Sequence, residues 1–336
     1  MVRFRLLHLS DFHFGRNADV TNLIHRAALN FEGISDVDID KLVPRSPKQS
    51  LIKPTSHDTL AAFGVAKFCY EQKDNYDAVI VTGDLATTGR RADIQFASDF
   101  ISKRYSESFF DFTGTKYSLA GNEKDCFVIP GNHDRYTSTL GGGPGSVEFD
   151  NIFKIFPGAS RVYSKILRKK GGSCGLVFAD FSLKKRRDVK TAQLAGAELL
   201  KGIFGRGNVY NDVLSDLKAE TTRLRHVEPG VCIIWAIHFA PYDVGDSLEF
   251  QDYPKLLAAA KELNVRLLLC GHTHTRSLQN WDGIHIVCAG TACANDENPT
   301  HLLHIVDIRL DQGRMKLKHE DYLFSPDDGE FRRHKS

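Results

Sequence analysis

The chain has 336 residues, 42% hydrophobic and 26% charged, a balance that excludes a disordered chain, a collagen and a coiled coil. Forty-four basic residues against 42 acidic leave a formal charge of +2. That is too little for a whole-chain field that steers nucleic acid or binds a membrane surface.

In chain order, residues 3–9 read as a strand, followed by a polar, proline-punctuated stretch over 15–54. Helical spacing over 59–72 predicts a helix capped by Ser56 or Asp58. Residues 77–82 (DAVIVT) form a buried strand, 91–103 a helix, 126–130 a strand and 146–156 a helix. Alternation of apolar and small residues predicts a strand over 175–183. A helix at 211–225 precedes a strongly apolar strand at 231–237. A helix at 254–263 and a strand at 266–270 follow, and strands at 284–289 and 302–308 close the sheet. Strands alternating with helices favour a layered α/β fold in one domain, residues 1–322. The polar end, residues 323–336, is expected to fray.

The seven cysteines are odd in number, scattered, mostly inside apolar runs, and form no CxxC pair. They predict buried, reduced thiols rather than a disulfide framework. No apolar run nears the roughly 20 residues that span a bilayer. The N-terminus starts on strand-like residues and lacks a signal-peptide core, so a cytoplasmic protein without a membrane partner is expected.

Five short motifs each follow directly on a predicted strand: Asp11-Phe12-His13, Gly83-Asp84, Gly131-Asn132-His133-Asp134, His238, and Gly271-His272-Thr273-His274. Ligands on open α/β sheets gather beyond the carboxyl ends of strands, so these loops are expected to converge. Glycines 83, 131 and 271 are read as sharp-turn residues that present the next side chain. Singly, each motif is weak: Asp11 or Asp84 reads equally as a cap, Asn132 as a turn residue and His238 as a core histidine. Together they offer carboxylates, an amide oxygen and imidazoles without thiolate. The i, i+2 spacing of Asp11 with His13 and of His272 with His274 aims neighbouring ligands from irregular strand ends. That set suits two divalent metals about 3.5–4 Å apart sharing a carboxylate. It favours Mn, Fe, Zn or Ni over Ca.

The order D-x-H, G-D, G-N-H-D, H, G-H-x-H resembles the calcineurin-like metallophosphoesterase superfamily from Asp11 to His274 and into the closing strands. The resemblance implies a four-layer αββα sandwich with a dimetal site at the strand C-terminal ends. It implies that Asp11, His13 and His274 hold one metal, that Asp84 bridges, and that Asn132, His238 and His272 complete the other. It implies two ions per chain, Mn or Fe first, with Zn, Ni and Mg as alternatives, and a metal-bridging hydroxide as nucleophile. His133 then protonates the leaving oxygen or steadies the phosphoryl charge, and Asp134 orients His133.

Two departures stand out. The fourth motif is His238-Phe239-Ala240-Pro241, where many members carry His-His-Pro. The 73 positions from Asp11 to Asp84 exceed what a compact member needs, so 16–57 and 103–125 read as insertions that carry substrate choice. Arg135, Tyr136 and Arg276 flank the motifs and are candidate substrate contacts. The glycine-rich stretch 141–145 lacks the Lys-Ser/Thr of a P-loop and reads as a flexible loop. Nine basic residues over 165–190 offer a polyanion patch, but no aromatic residues interleave them, so a solvated face is preferred.

The expected function is a dimetal phosphodiesterase acting on a cyclic nucleotide or another small phosphodiester, resembling the bacterial cyclic-nucleotide phosphodiesterase branch. The alternatives are a nuclease or phosphomonoesterase on the same fold, or a catalytically silent scaffold. Nucleic acid is the less favoured partner, and the intact ligand set argues against the scaffold.

Overall fold

A computed structural model of the chain describes residues 1–15, 56–102, 119, 125–136, 145–183, 206–245, 248–295, 300–311 and 314–334. Its strands are β1 (Val2–Leu9), β2 (Ser56–His57), β3 (Ala78–Thr82), β4 (Asp125–Ile129), β5 (Val162–Lys169), β6 (Gly172–Ala179), β7 (Gly207–Asn208) and β8 (Cys232–Ala236). They continue as β9 (Phe250–Gln251), β10 (Leu267–Cys270), β11 (Ser277–Trp281), β12 (Ile284–Cys288), β13 (Ala294–Asn295), β14 (Leu302–Asp311), β15 (Arg314–Ser325) and β16 (Glu330–His334). The α-helices are α1 (Thr59–Glu71), α2 (Arg91–Ser102), α3 (Glu148–Phe153), α4 (Asn211–Val227) and α5 (Tyr253–Glu262).

Two six-stranded sheets result, in the orders β16-β15-β14-β1-β3-β4 and β11-β12-β10-β8-β6-β5. In the first, β1, β3 and β4 run parallel and β14 joins β1 antiparallel. In the second, β6, β8, β10 and β12 run parallel between the antiparallel edges β5 and β11. Central parallel strands are covered on both faces and therefore read as continuous apolar runs. Period-two alternation sorts their side chains. Leu176, Phe178, Ile234, Ala236, Leu267 and Leu269 join Phe4 and Leu6 between the sheets. Val177, Ile233, Trp235 and Leu268 face outward instead, against Val213 and Leu217 of α4 and Leu256 and Leu257 of α5. Helix α1 covers the outside of the first sheet beside β16, its Phe68 ring 4.7 Å from that of Tyr322. Helix, sheet, sheet and helix make the expected four layers.

Asp58, not Ser56, caps α1: its carboxylate accepts from the N–H groups of Leu60 and Ala61. All seven cysteines are free and five are buried. Among the described residues no helix is long and apolar enough to cross a membrane. Three sequence expectations change. The strands at 284–288 and 302–311 close different sheets, because β12 pairs with β10 and β14 with β1. Strands β5, β11, β15 and β16 had no sequence prediction. The polar end does not fray over 330–334, because β16 pairs with β15 and Phe331 is buried near Phe324. The inferred insertions 16–57 and 103–125 and the loop 141–145 lie mostly outside the described residues, as does 184–190 of the basic stretch. In its described part, Arg168 pairs with Glu228 at 2.9 Å and Lys169 with Asp77 at 2.6 Å.

If β16 is part of the fold, Phe331→Ala should cost about 3 kcal/mol of stability. Urea unfolding checks this, and a change below about 0.5 kcal/mol, the size of an ordinary surface substitution, would return the segment to a frayed end.

Candidate metal centre

All five motif loops leave the C-terminal ends of strands: β1, β3 and β4 from the first sheet, β8 and β10 from the second. Backbone hydrogen bonds tie them together. Asp11 N–H donates to the Gly83 carbonyl at 3.1 Å, and the N–H groups of Phe12 and His13 donate to the Asp84 carbonyl at 2.9 and 3.0 Å. Gly271 N–H donates to the His238 carbonyl at 2.8 Å. Asp11, His13, Asp84, His272 and His274 all adopt left-handed backbone, with φ between 51° and 75°. Each such residue costs about 1 kcal/mol or more, so the surrounding contacts must hold them there.

The glycines act differently from one another. Of Gly83, Gly131 and Gly271, only Gly83 has positive φ, 99°. Gly131 and Gly271 are required by space. A Cβ on Gly131 would lie 2.1 Å from Asp84 Oδ1, and one on Gly271 would lie 1.8 Å from Ser10 Oγ. The turn reading therefore holds for Gly83 alone, and close approach explains the other two.

These constraints bring seven ligand-type side chains together in two groups that share Asp84. His13 Nε2 and His274 Nε2 are 3.0 Å apart, and His274 Nε2 lies 3.4 Å from Asp11 Oδ1. His238 Nε2 lies 3.0 Å from Asn132 Oδ1, 3.2 Å from His272 Nδ1 and 3.3 Å from Asp84 Oδ2. The same Asp84 oxygen is 3.7 Å from His13 Nε2. An ion ligated at about 2.1 Å holds adjacent donor atoms about 3 Å apart, which is the spacing found here. Asp11 Oδ1 and His272 Nε2 are buried without a hydrogen-bond partner. An orphaned buried acceptor is costly, so Asp11 Oδ1 and this mixed O/N set fit divalent metal ions, whereas His272 meets its donor group through Nδ1 rather than the unpartnered Nε2.

Outer contacts fix the donors. The His238 Nδ1–H donates to the Thr82 carbonyl at 2.7 Å, leaving Nε2 to face Asp84. His272 N–H donates to Asp11 Oδ2 at 3.0 Å, and His133 N–H to Asp84 Oδ1 at 2.9 Å. Burial and the neighbouring His133 push His13 well below the ordinary histidine range, and burial with His238 does the same to His272. Burial opposes charge on His238 too, but Asp84 outweighs it and raises its pKa to about 9. Burial also works against charge on Asp84, yet His238 and His133 hold its carboxyl well below the usual range.

Not every candidate takes its expected place. The His133 ring lies beside His13, and its Nδ1 is 3.1 Å from the Thr87 carbonyl. Asp134 does not orient it: its carboxylate accepts from the N–H groups of Leu85, Ala86 and Gly131 at 3.1, 2.7 and 2.8 Å. It pins two motif loops together, and burial, then the charge of Asp84, raises its pKa to about 7. Arg135 is wholly buried between Asp150 and Asp180, so it faces no external substrate. The buried Tyr136 hydroxyl accepts from Asn132 Nδ2 at 2.7 Å and turns the amide oxygen toward His238. Arg276, partly exposed, is paired with Asp321 at 2.8 Å. Sequence reasoning missed Thr82 and Thr87 because they act through backbone carbonyls, which no side-chain pattern marks.

The sequence profile described as calcineurin-like phosphoesterase matches residues 4–276, from β1 to the end of the last motif loop. The chain belongs to the calcineurin-like phosphoesterase family. No curated protein matches it. Among solved structures, a dimetal phosphatase from Danio rerio is 14% identical with a TM-score of 0.50, over 94% of this chain and 95% of that one. A putative 5'-nucleotidase from Staphylococcus aureus is 13% identical with a TM-score of 0.48, over all of this chain and 55% of that one. A purple acid phosphatase from yellow lupin seeds has the same identity and TM-score, over 99% of this chain and 53% of that one. The chain thus spans about half the length of the last two, and the Danio rerio protein shows the family fold.

Asp84→Asn should leave the fold intact by circular dichroism and sharply reduce Mn binding, read by metal analysis after gel filtration. Full retention of metal would remove Asp84 from the shared position.

Proposed function

We propose that the chain is a dimetal phosphodiesterase for small phosphodiesters such as cyclic nucleotides. The observation that carries this reading is Asp84 Oδ2, which lies between His13 Nε2 and His238 Nε2 at 3.7 and 3.3 Å and so belongs to both donor groups. Asp11, His13 and His274 would hold one ion, Asn132, His238 and His272 the other, with Asp84 between them. Two such ions, Mn or Fe, supply Lewis-acid polarisation of a phosphoryl oxygen and a nucleophile at neutral pH.

The chain's own groups do the rest. His133 Nδ1–H donates to the Thr87 carbonyl, which fixes the ring and leaves Nε2 to meet the substrate. As an imidazolium, His133 donates its Nε2 proton to the leaving oxygen. Asn132, oriented by Tyr136, presents its amide oxygen rather than its NH₂ group to the site.

The charge balance supports a diester over a monoester. Among the described residues, the two guanidinium groups offered as substrate contacts, Arg135 and Arg276, are held by carboxylates. A monoester dianion gains more from an additional cation than a diester monoanion does.

A Mn-supplemented panel of bis- and mono-nitrophenyl phosphate, cyclic nucleotides and single-stranded DNA tests the reading. Bis-nitrophenyl phosphate and cyclic nucleotides should turn over fastest. A preference for mono-nitrophenyl phosphate or for DNA would replace the diesterase assignment by a phosphatase or a nuclease. In the same assay His133→Ala should keep its metal content and lose about a hundredfold in turnover, most for poor leaving groups.

A further inference from the structure

Four buried charged side chains close on one another behind the loop that carries Asn132 and His133. Arg135 Nη2 lies 2.8 Å from Asp150 Oδ1 and 2.6 Å from Asp180 Oδ2. Arg161 Nη1 lies 2.7 Å from Asp150 Oδ2 and 3.8 Å from Asp180 Oδ2. Each arginine thus spans both aspartates, and the formal charges cancel. Arg135, Arg161 and Asp180 are 0% exposed and Asp150 only 5%. A buried ion set of this kind is weak as a source of stability, since well-packed apolar side chains often do as well. What it supplies is a fixed geometry between the segments it joins.

Those segments decide its role. Arg135 follows β4 of the first sheet, Asp150 lies in α3, Arg161 precedes β5, and Asp180 directly follows β6 of the second sheet. The ring therefore fastens the Asn132–His133 loop to the second sheet, which also supplies His238, His272 and His274. Arg135 reinforces this through its backbone, whose carbonyl accepts from the N–H groups of Gly145 and Ser146, both at 2.9 Å. Coupling to the site is short. Arg135 N–H donates to the Asn132 carbonyl and Tyr136 N–H to the His133 carbonyl, both at 3.1 Å. The Tyr136 hydroxyl then sets the Asn132 amide. Of the five motif loops, the ring draws a member from the end of one alone, the loop of Asn132 and His133 that Arg135 directly follows, and Asn132 belongs to the donor group of His238 and His272.

We propose that the Arg135–Asp150–Arg161–Asp180 ring is a positioning clamp for Asn132 and His133, and through Asn132 for the donor group that it completes with His238 and His272. The inference rests on the dimetal reading above and extends it to residues that touch neither metal nor substrate. It predicts a one-sided defect: loosening the ring should weaken one ion and spare the other, which a general loss of stability would not do.

The test is calorimetric titration of the metal-free full chain with Mn²⁺, read beside kcat and KM. Asp180→Asn keeps the side-chain shape and removes one charge. It should weaken one of the two Mn²⁺ equivalents about tenfold or more, leave the other within about twofold, and lower kcat more than KM. The weakened equivalent should be the one lost in His272→Ala and kept in His274→Ala. Arg135→Lys, which keeps the charge without the two-sided reach, should show the same pattern more mildly, and it carries the test if Asp180→Asn does not fold. Leu257→Ala, in α5 away from the ring, controls for lowered stability and should keep both equivalents. Unaltered binding in both ring variants, or equal weakening of both ions, would overturn the clamp. A wild-type chain that takes up fewer than two ions would overturn the dimetal reading itself, and the clamp with it.

Discussion

The Asp84 carboxylate is where every part of this site meets. Oδ1 accepts the His133 N–H, and Oδ2 faces His238 and His13 from the two donor groups. Its own carbonyl accepts two N–H groups from the Asp11–His13 loop. Its left-handed backbone and the absence of a Cβ on Gly131 let the two loops approach this closely. Moving this one group would disturb four imidazoles, one amide and a second carboxylate together. The clustering is also an electrostatic constraint: two buried carboxylates share this space, Asp11 Oδ1 has no hydrogen-bond partner, and cations would relieve that.

The donors come from both sheets. The first supplies Asp11, His13, Asp84 and Asn132 from the ends of β1, β3 and β4, and the second supplies His238, His272 and His274 from β8 and β10. Sheet-on-sheet packing therefore sets the chemistry as well as the fold. Phe4 and Leu6 against Leu176, Phe178 and Ile234 fix the distance between the sheets. Near the site, ties across the seam include the His238 bond to the Thr82 carbonyl, the His272 N–H bond to Asp11 and the buried ring through Arg135 and Asp180. An apolar core resists separation without fixing direction, whereas charge-assisted hydrogen bonds fix direction as well.

What the sequence reveals follows from whether a residue's neighbours are local. Strands β3, β8 and β10 were legible because burial on both faces leaves apolar runs such as residues 78–81. Strand β15 was not, because the alternation of Met315 and Leu317 with Lys316 and Lys318 is short and gives way to the polar run His319-Glu320-Asp321. Its place depends on pairing with β14 and β16 rather than on its own composition. The candidate ligands were legible because residue type and strand-end position coincide in each motif. Arg135 misled for the opposite reason: an arginine after Asn132-His133-Asp134 looks like an anion contact, and the aspartates that bury it lie 15 and 45 positions further on. Asp134 misled because its partners are backbone N–H groups, which carry no sequence signature.

The family fold, the shared carboxylate and the orphaned Asp11 oxygen lead to one central claim, that two ions sit on either side of Asp84. Anomalous diffraction from crystals of the Mn-loaded chain tests it most directly. Two peaks are predicted, one against Asp11, His13 and His274 and one against Asn132, His238 and His272, with the Asp84 carboxylate between them. A single peak, or peaks remote from Asp84, would contradict the account.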